Sequence, residues 1–164
     1  MIQFLQGNLL EAPTEAIVNT VNTVGVMGKG LALMFKKAFP QNFLLYAEAC
    51  KRKDVRVGEM FVTEHLASDG PRWIINFPTK KHWRDSSQLQ WVIDGLQDLR
   101  HIIEGRGIRS IAVPPLGCGL GGLDWNVVRP EIACALGGLP NVDVLVFAPD
   151  TAHANPTKSR RIQA

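Results

Sequence analysis

The amino-acid sequence predicts an α/β fold, specifically a three-layer α/β/α domain with a mixed central sheet. Strand-like apolar runs alternate with helix-like segments along residues 1–150. Several of the strand-like runs are apolar on both faces, which is typical of a sheet buried between two helical layers. A chain of 164 residues suits one domain with a sizeable core. We therefore expect one domain over residues 1–150 and a flexible tail or linker over residues 151–164.

Six strands and four helices follow from these patterns. Apolar runs bounded by turn residues predict strands at residues 2–6, 16–21, 60–63, 73–77, 110–113 and 142–147. Apolar residues at helical spacing predict helices over 31–39 and 42–51, a third that Ser86 or Ser87 caps and Gly105 stops, and a fourth from an Asp124 cap to Leu136. Each predicted helix follows a strand or another helix, as a covered sheet requires.

Composition and cysteine usage exclude several classes of protein. No run approaches the ~20 apolar residues of a membrane span, and the first residues lack the basic start of a secretory signal, so we expect a cytoplasmic protein with no membrane partner. Cys50, Cys118 and Cys134 form no CxxC pair. We expect reduced thiols and no metal site. A reactive Cys118 is the alternative, because that residue lies in a glycine-rich segment.

Charge is balanced over the body of the chain but unevenly distributed. The whole chain has 18 bases and 15 acids, and residues 151–164 hold three of the bases and none of the acids. Residues 1–150 therefore hold 15 bases and 15 acids. Residues 29–56 hold seven bases against two acids, and residues 72–84 hold four bases and no acid. Such clusters can form a basic face for a phosphate backbone. Ordinary solvated helix faces are the alternative.

Two glycine-rich loops, at residues 25–30 and 114–122, each follow a predicted strand and precede a predicted helix. Backbone N–H groups in such loops bind phosphate oxygens, and glycine allows a close approach. Two loops in matching positions suit a diphosphate. Neither loop fits the P-loop or the dinucleotide fingerprint, which disfavours a nucleotide-dependent dehydrogenase.

Four segments in order resemble the signatures of the macrodomain family: Gly7-Asn8-Leu9, residues 16–22, the loop ending at Gly30, and residues 115–122. This resemblance covers residues 1 to about 150, and it implies binding of ADP-ribose with no cofactor. Residues 76–83 and the Gly-Lys-Gly loop resemble the branch containing the antitoxin DarG and the terminal ADP-ribose protein glycohydrolase. That branch implies a DNA ADP-ribosyl glycohydrolase acting on modified thymidine, with the toxin DarT as partner.

The resemblance also implies roles for individual residues. Lys80 would be the catalytic lysine, Asn22 would orient the distal ribose, and Asn8 would contact adenine. The other expected ADP-ribose contacts come from the loops and their neighbours: Gly7, Leu9, Asn19, Gly25, Met27, Gly28, Lys29, Gly30, Leu116, Gly117, Cys118, Gly119, Leu120, Gly121 and Phe147. Phe147 could stack on adenine or belong to the core.

His82, Trp83 and Arg84 form a basic and aromatic cluster beside Lys80. Aromatic side chains stack on bases and basic groups hold phosphates in single-stranded nucleic acid binding, so we expect this cluster to contact DNA. In the alternative interpretation, Trp83 packs in the core and His82 is an ordinary surface residue.

Lys80 follows a strand end, where an open α/β sheet presents its ligand crevice. Desolvation and positive neighbours there would lower its pKa. The amine could then attack the anomeric carbon of the distal ribose or its ring-opened aldehyde, whereas the cation could stabilise the departing base. Lys81 is the alternative catalytic lysine.

Two further functions stay open at this point. The fold alone would allow a reader that binds ADP-ribose without cleaving it. Hydrolysis of protein-linked ADP-ribose is the other, and Gly121 disfavours it, since the protein-directed relative has an acidic residue at that position.

Overall fold

The structure is a computed structural model that describes residues 1–150; the predicted tail lies outside the described residues. Its strands are β1 (Ile2–Leu5), β2 (Ala16–Asn22), β3 (Phe61–Glu64), β4 (Trp73–Lys80), β5 (Ser110–Val113) and β6 (Asp143–Phe147). Its α-helices are α1 (Gly30–Ala38), α2 (Pro40–Lys51), α3 (Leu89–Gly105) and α4 (Trp125–Leu136). A short 3₁₀ helix over Leu9–Glu11 follows β1. Within residues 1–150, no helix is long and apolar enough to span a bilayer.

The six strands form one mixed sheet in the order β1-β6-β5-β2-β4-β3. All neighbouring pairs are parallel except β3 and β4, which are antiparallel. The carboxyl ends of the five parallel strands therefore share one edge of the sheet, and both glycine-rich loops leave from that edge. Asn22 and Lys80 are register partners at the ends of β2 and β4.

Alternate residues of the central strands are buried on opposite faces of the sheet. In β2, Val18 packs in the large core with α3 and α4, whereas its neighbour Ile17 packs with Phe35 of α1. Full burial of one such side chain stabilises the fold by about 1.5–3 kcal/mol. The two-sided burial confirms the predicted three-layer α/β/α class.

Most element boundaries lie within one or two residues of those predicted, and two differences bear on the site. Strand β4 was expected to end at Phe77 but runs to Lys80, and the register shift beside Pro78 accommodates a residue that has no N–H to donate. The predicted Ser86 or Ser87 cap of α3 is wrong, because α3 begins after Gln88, which makes no capping side-chain bond. The Asp124 cap of α4 is confirmed by its bond from the Asn126 N–H at 2.9 Å.

A buried amide pair ties α2 to the strand that carries Lys80. Asn42 donates to Asn76 Oδ1 at 3.1 Å, and Asn76 donates back to Asn42 Oδ1 at 2.8 Å. Thr63 of β3 also donates to Asn42 Oδ1, at 2.7 Å. Buried polar groups that are paired in this way fix the relative position of the elements they join. The amide pair therefore helps to hold β4 in register beneath the site.

Candidate active site

The two glycine-rich loops leave the neighbouring strands β2 and β5 at the same edge of the sheet, and the space between these loops is called the cleft below. Gly30 begins α1 with a φ of +58°, which favours glycine, and a Cβ there would lie 3.8 Å from Leu120 Cδ1. The two loops therefore approach each other closely at this point. Lys29 precedes α1 without a side-chain cap, which leaves the N-terminal N–H groups of that helix open to a ligand. Such an arrangement suits the oxygens of a diphosphate.

Four of the predicted residues meet at the β1/β6 side of the cleft. Asn8 accepts a bond from the Leu10 N–H at 3.0 Å, so its side-chain oxygen caps the 3₁₀ helix. Phe147 lies 3.8 Å from the position of a Cβ on Gly7. Phe147 and Leu9 are buried in the same apolar cluster. The Phe147 ring therefore has a core role, and its predicted contact with adenine stays a prediction.

Asn22 organises the loop that follows β2. Its Oδ1 accepts bonds from the N–H groups of Val24 at 3.1 Å and Val26 at 3.3 Å, while its Nδ2 donates to the Val26 carbonyl at 2.8 Å. The buried Tyr46 hydroxyl lies 2.7 Å from the Asn22 carbonyl oxygen and 2.9 Å from its Oδ1. Burial raises the pKa of Tyr46, which keeps this hydroxyl protonated as a donor. The predicted contact of Asn22 with the distal ribose remains a prediction.

Lys80 lies against the second glycine-rich loop. Its Nζ donates to the Leu120 carbonyl at 3.1 Å and to the Trp83 carbonyl at 3.4 Å. Partial burial lowers the pKa of Lys80, and the negative charge of Asp85 opposes that shift. The amine therefore lies at the β2/β4 end of the cleft with a larger neutral fraction than an ordinary lysine has.

We expect Asp85→Asn to shift the pH profile of the site to lower pH. Removing the Asp85 charge removes the interaction that raises the pKa of Lys80, so that pKa falls further. If the neutral amine reacts, activity rises with pH through the Lys80 pKa and this rise moves to lower pH. If the cation acts, activity falls with pH through that pKa and the fall moves to lower pH. A pH–rate profile of kcat/KM tests the shift, and an unchanged inflection would contradict it.

The alternative lysine and the aromatic cluster occupy the exterior of the same edge. Lys81 Nζ lies 5.4 Å from the centre of the Trp91 ring, whereas Lys80 Nζ contacts the Leu120 carbonyl of the second glycine-rich loop, which favours Lys80. Trp83 is 45% exposed, so the core alternative for this residue is wrong. The ring centres of His82 and Trp83 are 5.1 Å apart, and the Arg84 guanidinium lies 4.7 Å above the Trp83 ring. Contact of this cluster with DNA stays a prediction.

Other predicted contact residues lie beneath the loops. Met27 and Asn19 are buried against each other, with Asn19 Nδ2 3.8 Å from the Met27 sulfur. Leu116 is also buried. Their side chains support the loops, so contact of Met27 and Leu116 with ADP-ribose would come through the backbone.

Cys118, in the second glycine-rich loop, is partly buried. Burial, with a smaller contribution from the Asp124 charge, raises the pKa of Cys118 to about 12. A thiol with that pKa stays protonated at neutral pH, which disfavours the reactive-cysteine alternative.

The remaining predicted loop residues are glycines and one exposed leucine. Gly25 packs against Cys50 of α2, where a Cβ would lie 3.4 Å from the Cys50 Cβ. Gly28, Gly117 and Gly119 belong to the two loops. Leu120 is 68% exposed although its carbonyl accepts from Lys80.

Two residues that matter to the site were missed by sequence reasoning. Ser87 is buried, and its N–H donates to the Gly121 carbonyl at 2.9 Å. A Cβ on Gly121 would overlap Ser87 Oγ and lie 2.5 Å from the Gly117 carbonyl oxygen. Tyr46 is the other missed residue, and one signal pointed to it: the only tyrosine of the chain lies on a predicted helix, and a buried tyrosine needs a hydrogen-bond partner.

The Macro domain profile matches residues 18–132. The chain belongs to the macrodomain family. This macrodomain is 54% identical over 149 residues to a protein of Thermus aquaticus named DNA ADP-ribosyl glycohydrolase, covering 91% of this chain and 41% of that protein. The corresponding Mycobacterium tuberculosis protein is 53% identical over 149 residues, with 91% and 42% coverage. The chain thus spans about two-fifths of the length of these relatives.

Solved structures agree with this macrodomain in fold. The macrodomain of Thermus aquaticus DarG superposes with a TM-score of 0.87 at 54% identity, covering 91% of this chain and 99% of that one. The macrodomain of Mycobacterium tuberculosis DarG gives a TM-score of 0.89 at 53% identity, with 91% and 98% coverage. This macrodomain is therefore of the DarG type.

Proposed function

We propose that this macrodomain is a DNA ADP-ribosyl glycohydrolase, which removes ADP-ribose from modified thymidine in DNA. The observation that carries the proposal is the Lys80 amine, which is partly desolvated and lies 3.1 Å from the Leu120 carbonyl beside Asn22. A protein that only binds ADP-ribose has no need of such an amine. Relatives more than 50% identical that are named DNA ADP-ribosyl glycohydrolase support the DNA substrate.

In the proposed complex, ADP-ribose runs along the carboxyl edge of the sheet. Adenine lies at the β1/β6 side near Asn8 and Phe147. The diphosphate binds backbone N–H groups of the two glycine-rich loops, where α1 adds its positive N-terminal end. The distal ribose then lies at the β2/β4 side, where Asn22 orients its hydroxyls and Lys80 meets its anomeric carbon.

Hydrolysis breaks the bond between the anomeric carbon and the base. Water supplies a hydroxyl to the carbon and a proton to the departing base. Lys80 can contribute in two ways: its neutral amine can attack the anomeric carbon, displacing the base and giving a covalent adduct that water then hydrolyses, or its cation can stabilise the negative charge that develops on the base. A partly buried lysine whose Nζ donates to two carbonyls can take either form, and the lowered pKa increases the fraction of neutral amine.

The proposed biological role is that of an antitoxin. A Thermosipho africanus relative, 34% identical, is named a DNA ADP-ribosyl transferase-DNA ADP-ribosyl glycohydrolase fusion protein. We propose that a cognate ADP-ribosyltransferase of the DarT type is the partner of this chain, in the cytoplasm. Residues 1–150 would form the catalytic unit and residues 151–164 a linker.

Two substrates with the same ADP-ribose and different attachment test the proposal. One is a single-stranded oligonucleotide carrying ADP-ribose on thymidine, and the other is a peptide carrying ADP-ribose on a glutamate ester. We expect release of ADP-ribose from the oligonucleotide and little from the peptide, measured by gel and mass. Tight binding of free ADP-ribose with no release from either substrate would indicate a reader, and faster release from the peptide would indicate a protein-directed hydrolase.

A further inference from the structure

The order of the strands determines where the DNA must leave the cleft. In the proposed complex the adenine lies at β1 and β6 and the diphosphate at the loops that follow β2 and β5, while Lys80 ends β4. A group attached to the distal ribose therefore extends beyond the β2/β4 side. The DNA strand meets whatever surface lies there.

A basic depression lies on this side of the molecule. It has a volume of about 560 Å³ and is lined by Thr23, Val24, Lys51, Lys53 and Arg56 among others. Thr23 directly follows Asn22, and its hydroxyl donates to the Lys81 carbonyl at 2.8 Å. The lining of the basic depression therefore begins at the residue after Asn22, and that residue is hydrogen-bonded to the residue after Lys80.

Few carboxylates of the protein compete with an external anion for the cations of the basic depression. Lys53 makes no ion pair with any of residues 1–150. Lys51 reaches Glu48 only at 3.9 Å and Arg56 reaches Glu59 only at 3.8 Å, in pairs whose side chains are all more than half exposed. Exposed pairs of this kind contribute about 0–1 kcal/mol, so a phosphate can replace the carboxylates.

Backbone geometry fixes the position of Lys53. Its φ is +60°, an uncommon value for a residue other than glycine. The Lys53 N–H donates to the Cys50 carbonyl at 3.0 Å, and the Asp54 N–H donates to the Ala49 carbonyl at 2.9 Å. Lys51 in the last turn of α2 and Lys53 just after its C-cap lie at the negative end of that helix, whereas Arg56 lies beyond it.

We propose that the basic depression binds a backbone phosphate of the DNA strand that carries the modified thymidine. The inference rests on the proposed function and adds a second DNA contact to it. Trp83 and Arg84 lie on the β4 side of Lys80, whereas the basic depression is reached from Thr23 on the β2 side. Since a strand carries a phosphate on both sides of each nucleotide, the two surfaces contact phosphates that flank the modified nucleotide.

The test compares a double variant, Lys53→Asn with Arg56→Gln, with the parent protein on two substrates. Asparagine tolerates a positive φ better than most residues, so the backbone at position 53 is retained. One substrate is the ADP-ribosylated oligonucleotide, and the other is ADP-ribosyl-thymidine without flanking phosphates. We expect KM for the oligonucleotide to rise about tenfold at low salt with kcat unchanged, and KM for the nucleoside to stay the same. The slope of log KM against log salt should fall by about 0.7 for each lost phosphate contact.

A matched control removes the same charge elsewhere. Lys37→Gln with Arg109→Gln takes two cations from exposed positions, one near the end of α1 and one before the amino end of β5. This control should keep the parent's KM and salt slope. If the Lys53/Arg56 variant matches the parent, or if the control changes the oligonucleotide KM equally, the phosphate site is wrong. Failure of the parent itself to release ADP-ribose would instead overturn the proposed function.

Discussion

Lys80→Ala is expected to reduce release of ADP-ribose from DNA by at least about 10³-fold, the scale of losing a reacting group. Affinity for free ADP-ribose should change much less, because the amine contacts the proposed diphosphate loops only at the Leu120 carbonyl and makes no contact on the proposed adenine side. Single-turnover assays on the ADP-ribosylated oligonucleotide and calorimetric titration with ADP-ribose measure the two quantities separately. The variant should trap the uncleaved substrate.

Two companion variants sharpen the interpretation of Lys80. Lys80→Arg keeps a cation but cannot supply a neutral amine, because the guanidinium stays protonated. Substantial activity in Lys80→Arg would therefore indicate electrostatic stabilisation, whereas inactivity like that of Lys80→Ala favours the amine as nucleophile or base. Lys81→Ala is the matched control and should remain close to the parent, since Lys81 faces Trp91. An active Lys80→Ala protein would contradict the proposed site.

The fold could be predicted because its main signals are local. Strands such as β2 and β5 are apolar on both faces, and the amphipathic stripe of α3 indicates one buried helix face. The glycine-rich loops were likewise visible, since they interrupt apolar runs at the ends of strands. Their adjacency in the structure follows from β2 and β5 being neighbours in the sheet.

The features that could not be predicted depend on contacts between residues that are distant in sequence. Ser87 looks like a helix cap in the sequence, yet its N–H pairs with the Gly121 carbonyl of another loop. The extension of β4 to Lys80 depends on pairing with β2, which outweighs the local signal of Pro78. Lys53 and Arg56 lie more than 20 residues from Lys80, and only the packing of α2 brings the basic depression to the site.

Gly121→Ala is expected to lower the affinity for ADP-ribose by about 10- to 100-fold. Its Cβ would overlap Ser87 Oγ and come within 2.5 Å of the Gly117 carbonyl oxygen, so the backbone of residues 117–121 must shift. Overpacking of this kind typically costs about 1–3 kcal/mol. If ADP-ribose binds only the unshifted loop, this strain must be overcome on binding. Because a free-energy change of about 1.4 kcal/mol corresponds to a tenfold change in an equilibrium constant, the strain accounts for the expected loss of affinity. Titration with ADP-ribose, with thermal unfolding in parallel, measures both effects.

Gly119→Ala is the matched control for this substitution. It adds the same methyl group to the same loop, but no atom lies within 4 Å of the new Cβ and no positive φ is required. ADP-ribose affinity should therefore remain near that of the parent unless the ligand itself occupies that space. Parent-like binding by Gly121→Ala would show that the loop yields at little cost. An acidic side chain could then be introduced at position 121. A large loss of ADP-ribose affinity would instead mean that the packing of Ser87 against Gly121 excludes a carboxylate from this position.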